Sequence, residues 1–168
     1  MRIVELTALT EPQVADILVL MHELDPEIAV AAEMVKRAVA AEGTRFFAAV
    51  EDAGSLTGSG TGTRFLDKRE MIKAGHIIGC ASLCIYDSPT GRKASIEDVV
   101  VSSSFRGQGI GKALMEHVID FARIDIELID IHLTSRPHRI AANELYQSLG
   151  FERRETNVYR MKVRRKNK

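Results

Sequence analysis

The chain has 168 residues with 23 basic and 23 acidic side chains, so its formal net charge is zero. That balance argues against a general binder of nucleic acids or anionic membranes. With 45% hydrophobic residues, 12 glycines and 4 prolines, the composition excludes a wholly disordered chain and predicts one compact domain.

The amino-terminal residues lack the basic segment and apolar run of a signal peptide, and no stretch approaches the roughly 20 apolar residues that span a bilayer. Cys80 and Cys84 are too few for a disulfide scaffold, and four positions apart on one strand they are too distant to bridge. We therefore expect a cytoplasmic protein with no membrane association and no nucleic-acid partner.

The first part of the chain predicts a strand, two helices and a second strand. Apolar side chains at the spacing of each element predict them at residues 2–7, 11–21, 26–41 and 45–50. Residues 51–75 begin with a run rich in Gly, Ser and Thr, which predicts a flexible loop inserted between two strands. This run lacks the GK[ST] ending of a nucleotide-binding loop.

The second part predicts an antiparallel hairpin of residues 76–86 and 93–101, joined by a turn that contains Pro89 and Gly91. Helices and strands then alternate, at residues 109–123, 128–134, 137–149, 151–153 and 158–163. The order β-α-α-β-β-β-α-β-α-β-β predicts an α/β fold with a mixed central sheet and helices on both faces. We expect a single domain over 1–163, followed by a basic tail at 164–168.

A glycine-rich turn, Arg106-Gly107-Gln108-Gly109-Ile110-Gly111, joins the strand before it to the next helix. Closely spaced glycines cost backbone entropy at a helix start, but they let backbone N–H groups contact an anion beside the positive end of the helix dipole. The spacing fits neither the dinucleotide pattern GxGxxG nor the triphosphate loop GxxxxGK[ST]. We therefore expect a phosphate or pyrophosphate site of another kind.

The pattern Arg-x-x-Gly-x-Gly in this turn resembles the acetyl-CoA signature of the GCN5-related N-acetyltransferase (GNAT) superfamily. Downstream, Asn143-x-x-Tyr146-x-x-x-Gly150-Phe151 matches the second signature of that superfamily, and the order of elements is similar. The resemblance implies an acetyl-CoA-dependent N-acetyltransferase that moves an acetyl group to a primary amine by direct transfer in a ternary complex. The predicted loop at 51–75 is longer than the family's usual connection.

The resemblance also implies which residues bind acetyl-CoA. The backbone amides of the turn would hold the pyrophosphate, with side-chain donors beside them, and the strand before it would bond the pantetheine arm through its peptide groups. The expected cofactor-binding residues are Val99, Val101, Arg106, Gly107, Gln108, Gly109, Ile110, Gly111, Lys112 and Asn143.

Tyr146 is the expected general acid, because a phenol with a pKa of about 10 can protonate a departing thiolate. Glu97 is the expected general base, on the expectation that it faces the same way as Val99 and Val101 along the strand. A structural salt bridge is the alternative role for Glu97, and Asp98 or a water molecule remains open as the base. No metal is expected, since no His, Cys, Asp and Glu grouping has metal-ligand spacing.

Two other functions stay open: a non-catalytic acyl-CoA-binding or sensing domain, and a protein N-terminal acetyltransferase that docks on a ribosome through its basic end. Residues 1–52 hold four basic and ten acidic side chains, whereas residues 151–168 hold eight basic and two acidic. We expect the acidic part to attract a cationic acceptor, a small-molecule or peptide amine. The sequence leaves open the identity of the amine and whether the chain forms a homodimer.

Overall fold

The computed structural model describes residues 1–51, 75–125 and 128–163. The chain divides into two compact units, Met1–Thr134 and Ser135–Lys168. Almost all of the predicted inserted loop and the whole basic tail at 164–168 lie outside the described residues.

Five strands form one mixed sheet in the described part of the first unit, and they lie side by side in chain order. The first four pair antiparallel, and the fifth runs parallel to the fourth. The strands are β1 (Arg2–Leu6), β2 (Thr44–Val50), β3 (Ile77–Ser88), β4 (Gly91–Val101) and β5 (Asp130–Leu133). Strands β3 and β4 form the predicted hairpin, and β5 is shorter than predicted.

Four helices occur in the described residues: α1 (Glu11–Leu24), α2 (Ala32–Val39), α3 (Ile110–Asp125) and α4 (Ile140–Ser148). Helix α2 begins six residues after its predicted start, because the Asp25 side chain accepts a hydrogen bond from the Glu27 N–H at 3.1 Å and favours a turn there. No helix in the described ranges is long and apolar enough to cross a membrane.

Alternate residues of β2 pack against helices on opposite faces of the sheet. Phe46 and Ala48 belong to one buried cluster with Ile17 of α1. On the other face, the fully buried Phe47 packs edge-on against Phe121 of α3, with ring centroids 5.1 Å apart. The α/β class with helices on both faces of a mixed sheet is therefore confirmed.

The second unit holds α4 and the segment that follows it. Helix α4 begins three residues later than predicted, since Pro137 lies in a turn closed by a 3.0 Å bond from the Arg139 N–H to the Arg136 carbonyl. The strands predicted at 151–153 and 158–163 are wrong: no described residue from 151 to 163 is in a strand. A strand needs a neighbour to accept its hydrogen bonds, and the described part of this unit contains none.

Candidate functional site

The first component of the site is one edge of β4. Strand β3 pairs with β4 along most of its length, whereas β5 pairs with it only from Lys93 to Ile96. The Ser102 N–H donates to the Ile78 carbonyl of β3 at 2.8 Å, so the peptide groups of Val101 point to the opposite edge. Within the described strand pairs, this part of β4 is therefore open to an extended ligand on the β5 side.

A bulge interrupts β4 next to this open edge. Cys80 and Ser82 of β3 pair with residues three apart on β4, so Asp98 and Val99 together face the single residue Ala81. Asp98 has a φ of 53°, in the left-handed region that Asp adopts more readily than most residues. Bulges of this kind change the direction of side chains locally.

The bulge changes the face on which Glu97 lies. Glu97 pairs with Ser82, and Val100 pairs with the residue two positions earlier on β3, so both side chains point toward the α1 and α2 face. Val101, which packs in the cluster of α3, points the other way. The expectation that Glu97 shares its facing with Val99 and Val101 is therefore wrong, while its role as a base stays a prediction.

Glu97 and Asp98 form a pair of carboxylates at the bulge. The Ser95 hydroxyl donates to Glu97 Oε1, and the Glu97 side chain is exposed. Asp98 is an exposed residue, but neighbouring protein atoms partly remove its carboxyl from water, which raises its pKa, and the charge of Glu97 raises that pKa further. Asp98 therefore keeps its proton to a higher pH than an ordinary aspartic acid.

The glycine-rich turn is the second component of the site. Gly107 and Gly109 have φ values of 76° and 78°, and a Cβ built on either would meet nothing within 4 Å. These positions favour glycine for its left-handed backbone, and the space above them is open. The Ala113 N–H makes a 3.0 Å bond to the Gly109 carbonyl, so the N–H groups at 110–112 precede the first helical bonds and are available to an anion.

Side chains around the turn have different environments. Ile110 is 6% exposed and packs with Ile78, which fixes the start of α3 on the sheet. Its predicted contact with a cofactor is therefore restricted to its backbone. Gln108 and Lys112 are exposed, and Lys112 Nζ lies 3.8 Å from Glu116 Oε1.

Arg106 does not extend freely into solvent. Its Nε donates to the Val101 carbonyl at 3.0 Å, and its Nη2 donates to Glu23 Oε2 at 3.4 Å. The same carboxylate accepts bonds from the Ser103 N–H at 2.6 Å and the Ser102 hydroxyl at 3.3 Å. Sequence reasoning missed Glu23, because no local pattern links it to a turn about 80 residues away.

The remaining predicted residues lie in the second unit. Tyr146 packs edge-on against Phe151, with ring centroids 6.2 Å apart. Burial raises the pKa of Tyr146 above its usual value, and the charge of Arg139 opposes part of that rise. Asn143 Nδ2 donates to the Arg136 carbonyl at 3.0 Å, a bond that ties α4 to the turn before it. The predicted roles of Tyr146 and Asn143 in catalysis and cofactor binding stay predictions.

A cleft of about 270 Å³ lies in the first unit between α1 and the beginning of β3, and its lining includes Ser102 and Phe105 of the segment that leads to the glycine turn. Its Asp16 carboxylate accepts a bond from the Ile77 N–H at 3.0 Å and lies 3.3 Å from His76 Nδ1. In the part of the chain that the structure describes, no group of three or more His, Cys, Asp and Glu side chains is placed to hold a metal.

The sequence matches known acetyltransferases. The sequence model of the acetyltransferase (GNAT) family matches residues 20–151. The chain is also similar to N-acetyltransferase family 8 member 2 of Rattus norvegicus, with 40% identity over 81 residues, which are 47% of this chain and 35% of the rat protein. The match thus spans about a third of the length of the curated relatives.

Solved structures share the fold. A Trypanosoma brucei acetyltransferase has a TM-score of 0.62 and 24% identity, with 96% of this chain and 99% of that chain covered. An aminoglycoside acetyltransferase from an uncultured soil metagenomic sample has a TM-score of 0.69 and 16% identity, with 98% and 96% covered. At these identities the likeness shows the fold alone.

Proposed function

Because this chain belongs to the GNAT family of acetyltransferases, we propose that it is an acetyl-CoA-dependent N-acetyltransferase. It would move an acetyl group from the thioester to a primary amine by direct transfer within a ternary complex. One observation carries the proposal: the open edge of β4 leads directly to a left-handed glycine turn at the start of α3.

These residues fit acetyl-CoA. The space above Gly107 and Gly109 and the N–H groups at 110–112 suit a pyrophosphate, and Arg106 brings positive charge to the same turn. The peptide groups of Val99 and the N–H of Val101 would bond the pantetheine arm as a neighbouring strand does, while the Val101 carbonyl already accepts a bond from Arg106 Nε. Side-chain donors around the ligand would come from Gln108, Lys112 and Asn143. Bound acetyl-CoA supplies an activated acetyl thioester.

The chain's own titratable groups would move the protons. Glu97, on the α1 and α2 face of β4, accepts a proton from the acceptor amine, directly or through water, so that the amine nitrogen becomes nucleophilic. Asp98 is the alternative base. The Tyr146 hydroxyl, which like any phenol is protonated at neutral pH and whose pKa burial raises further, donates a proton to the departing thiolate.

The acceptor would be a small molecule or a peptide that is cationic before it reacts. Residues 1–52 supply ten acidic and four basic side chains, and exposed carboxylates of this region include Glu42, while Glu11 and Glu33 are paired with Lys36. An excess of negative charge near the acceptor attracts a cation. The KM for the amine should rise with ionic strength, and a KM that is independent of salt contradicts this choice of acceptor.

A thermal-shift assay tests the cofactor assignment. Acetyl-CoA at a hundred times its Kd stabilises a protein by about 2.7 kcal/mol. For a chain of this size that is a rise in Tm of about 5–10 °C. ATP and NAD at the same concentration should give no comparable rise, because the turn lacks the spacing of their loops. Equal stabilisation by ATP contradicts the assignment.

A further inference from the structure

Glu23 lies in the last turn of α1 and reaches the segment that joins β4 to the glycine turn. Its carboxylate is a common acceptor for the Ser103 N–H, the Ser102 hydroxyl and the Arg106 guanidinium. These three donors span five consecutive residues, 102–106. A single side chain of α1 therefore bonds to both ends of the segment 102–106 that leads into the glycine turn.

The position of Glu23 is unfavourable for α1 by itself. The carboxyl end of a helix carries partial negative charge. An acidic side chain in the last turn therefore destabilises the helix, whereas a basic one would stabilise it. The Glu23 side chain is 23% exposed, so it is also partly removed from water. Its three donors offset both costs.

The same contacts fix Arg106. A free arginine side chain samples many rotamers and loses that entropy when it binds a ligand. Here Nε is bonded to the Val101 carbonyl and Nη2 to Glu23, so the plane of the guanidinium is set before any ligand arrives. The Arg106 side chain remains 57% exposed, so its other N–H groups are accessible to an anion.

We propose that Glu23 is a positioning residue for cofactor binding. It acts through Arg106 and the Ser103 amide, and it preorganises the pyrophosphate-binding turn without contacting the thioester or the amine. This inference rests on the proposed function. It predicts that loss of Glu23 weakens the part of cofactor binding that depends on phosphate. Without Glu23 the turn becomes ordered only when the cofactor binds, and the entropy lost in that ordering reduces the affinity.

The test compares Glu23→Ala with Glu27→Ala, a matched control whose glutamate is exposed four residues further along the chain. Calorimetry should show acetyl-CoA binding about tenfold weaker for Glu23→Ala, from the loss of bonds to a charged group, and unchanged for Glu27→Ala. S-Acetylpantetheine lacks the pyrophosphate, so its kcat/KM should be the same in both variants. If the role of Glu23 were merely structural, Glu23→Ala would lower kcat/KM for both acetyl donors, acetyl-CoA and S-acetylpantetheine.

A double variant tests whether Glu23 acts through Arg106. Arg106→Ala combined with Glu23→Ala should weaken acetyl-CoA binding by less than the sum of the two single losses, since both changes remove the shared Arg106–Glu23 interaction, whereas the loss through the Ser103 amide remains. Glu23→Gln keeps an acceptor for the Ser103 N–H and should weaken binding less than Glu23→Ala, which provides a milder variant if the alanine variant unfolds.

Three results overturn the inference: wild-type affinity for acetyl-CoA in a folded Glu23→Ala or Glu23→Gln protein, an equal loss with S-acetylpantetheine, or fully additive losses in the double variant. In each case the wild-type protein still binds acetyl-CoA, and the proposed function stands. Failure of the wild-type protein to bind acetyl-CoA overturns the proposed function, and this inference with it.

Discussion

Replacement of Gly109 by alanine tests whether the glycine turn needs glycine only for its backbone conformation or also for binding acetyl-CoA. An alanine at a φ of 78° costs about 1–2 kcal/mol of folding stability. Alanine also lowers the conformational entropy of the unfolded chain, which stabilises the folded protein by about 0.4–1 kcal/mol. The added Cβ meets nothing within 4 Å, so no clash adds to this sum. We expect a net loss of about 1 kcal/mol, or about 2–4 °C in Tm.

The effect of Gly109→Ala on acetyl-CoA binding should be larger than its effect on folding. The new Cβ enters the open space above the turn, where the pyrophosphate would contact the amides at 110–112. The loss of one bond between an amide and a charged phosphate costs about 1.5–3 kcal/mol. We therefore expect the Kd for acetyl-CoA to rise about 10- to 100-fold.

Gly150→Ala is the matched control. Gly150 has a φ of 93°, and a Cβ there also meets nothing within 4 Å, so its backbone cost is similar. Thermal unfolding should show similar losses for the two variants, whereas calorimetry with acetyl-CoA should show weaker binding only for Gly109→Ala. If the two variants bind acetyl-CoA equally well, the turn is not the phosphate site and the reasoning fails.

Three further variants test the catalytic and structural roles. Tyr146→Phe should lower kcat about a hundredfold or more and leave the KM for acetyl-CoA within about twofold, and an unchanged kcat removes Tyr146 as the acid. Asp98→Asn should raise Tm at neutral pH, because the raised pKa of Asp98 means that its charged form is disfavoured in the folded protein. This gain should shrink as the pH falls through the folded pKa of Asp98 and vanish below its lower unfolded pKa, and a gain independent of pH contradicts the assignment. Phe47→Ala should lower the free energy of unfolding by about 3–5 kcal/mol in a urea titration, since Phe47 is fully buried between β2 and α3; a loss under about 1 kcal/mol would show that this packing is wrong.

Local features of the site were predictable from the sequence. The turn from Arg106 to Gly111 was identified because a strand, closely spaced glycines and a helix follow one another in the chain. The sequence favours glycine there because the missing side chain lets backbone N–H groups reach an anion, and the φ values above 70° at Gly107 and Gly109 add a second reason that only the structure shows. The order of elements predicts helices on both faces, and Phe46 and Phe47, neighbours on opposite sides of β2, pack against helices on each face.

Features that depend on contacts between distant segments were not predictable. The facing of Glu97 depends on the bulge at Asp98, and that bulge is visible only from the pairing with β3. The role of Glu23 depends on the packing of α1 beside the end of β4. The sequence predicts strands at 151–153 and 158–163, but a strand exists only where a partner pairs with it.

Release of free thiol from acetyl-CoA, measured across a panel of amines, tests the central claim most directly. The panel should include amino acids, polyamines, aminosugars and short peptides. The account predicts that at least one amine accelerates thiol release, that one acetylated amine forms for each thiol, and that Tyr146→Phe abolishes most of the acceleration. Tight binding of acetyl-CoA with no amine-dependent release across the panel would contradict an acetyltransferase and favour an acyl-CoA-sensing domain.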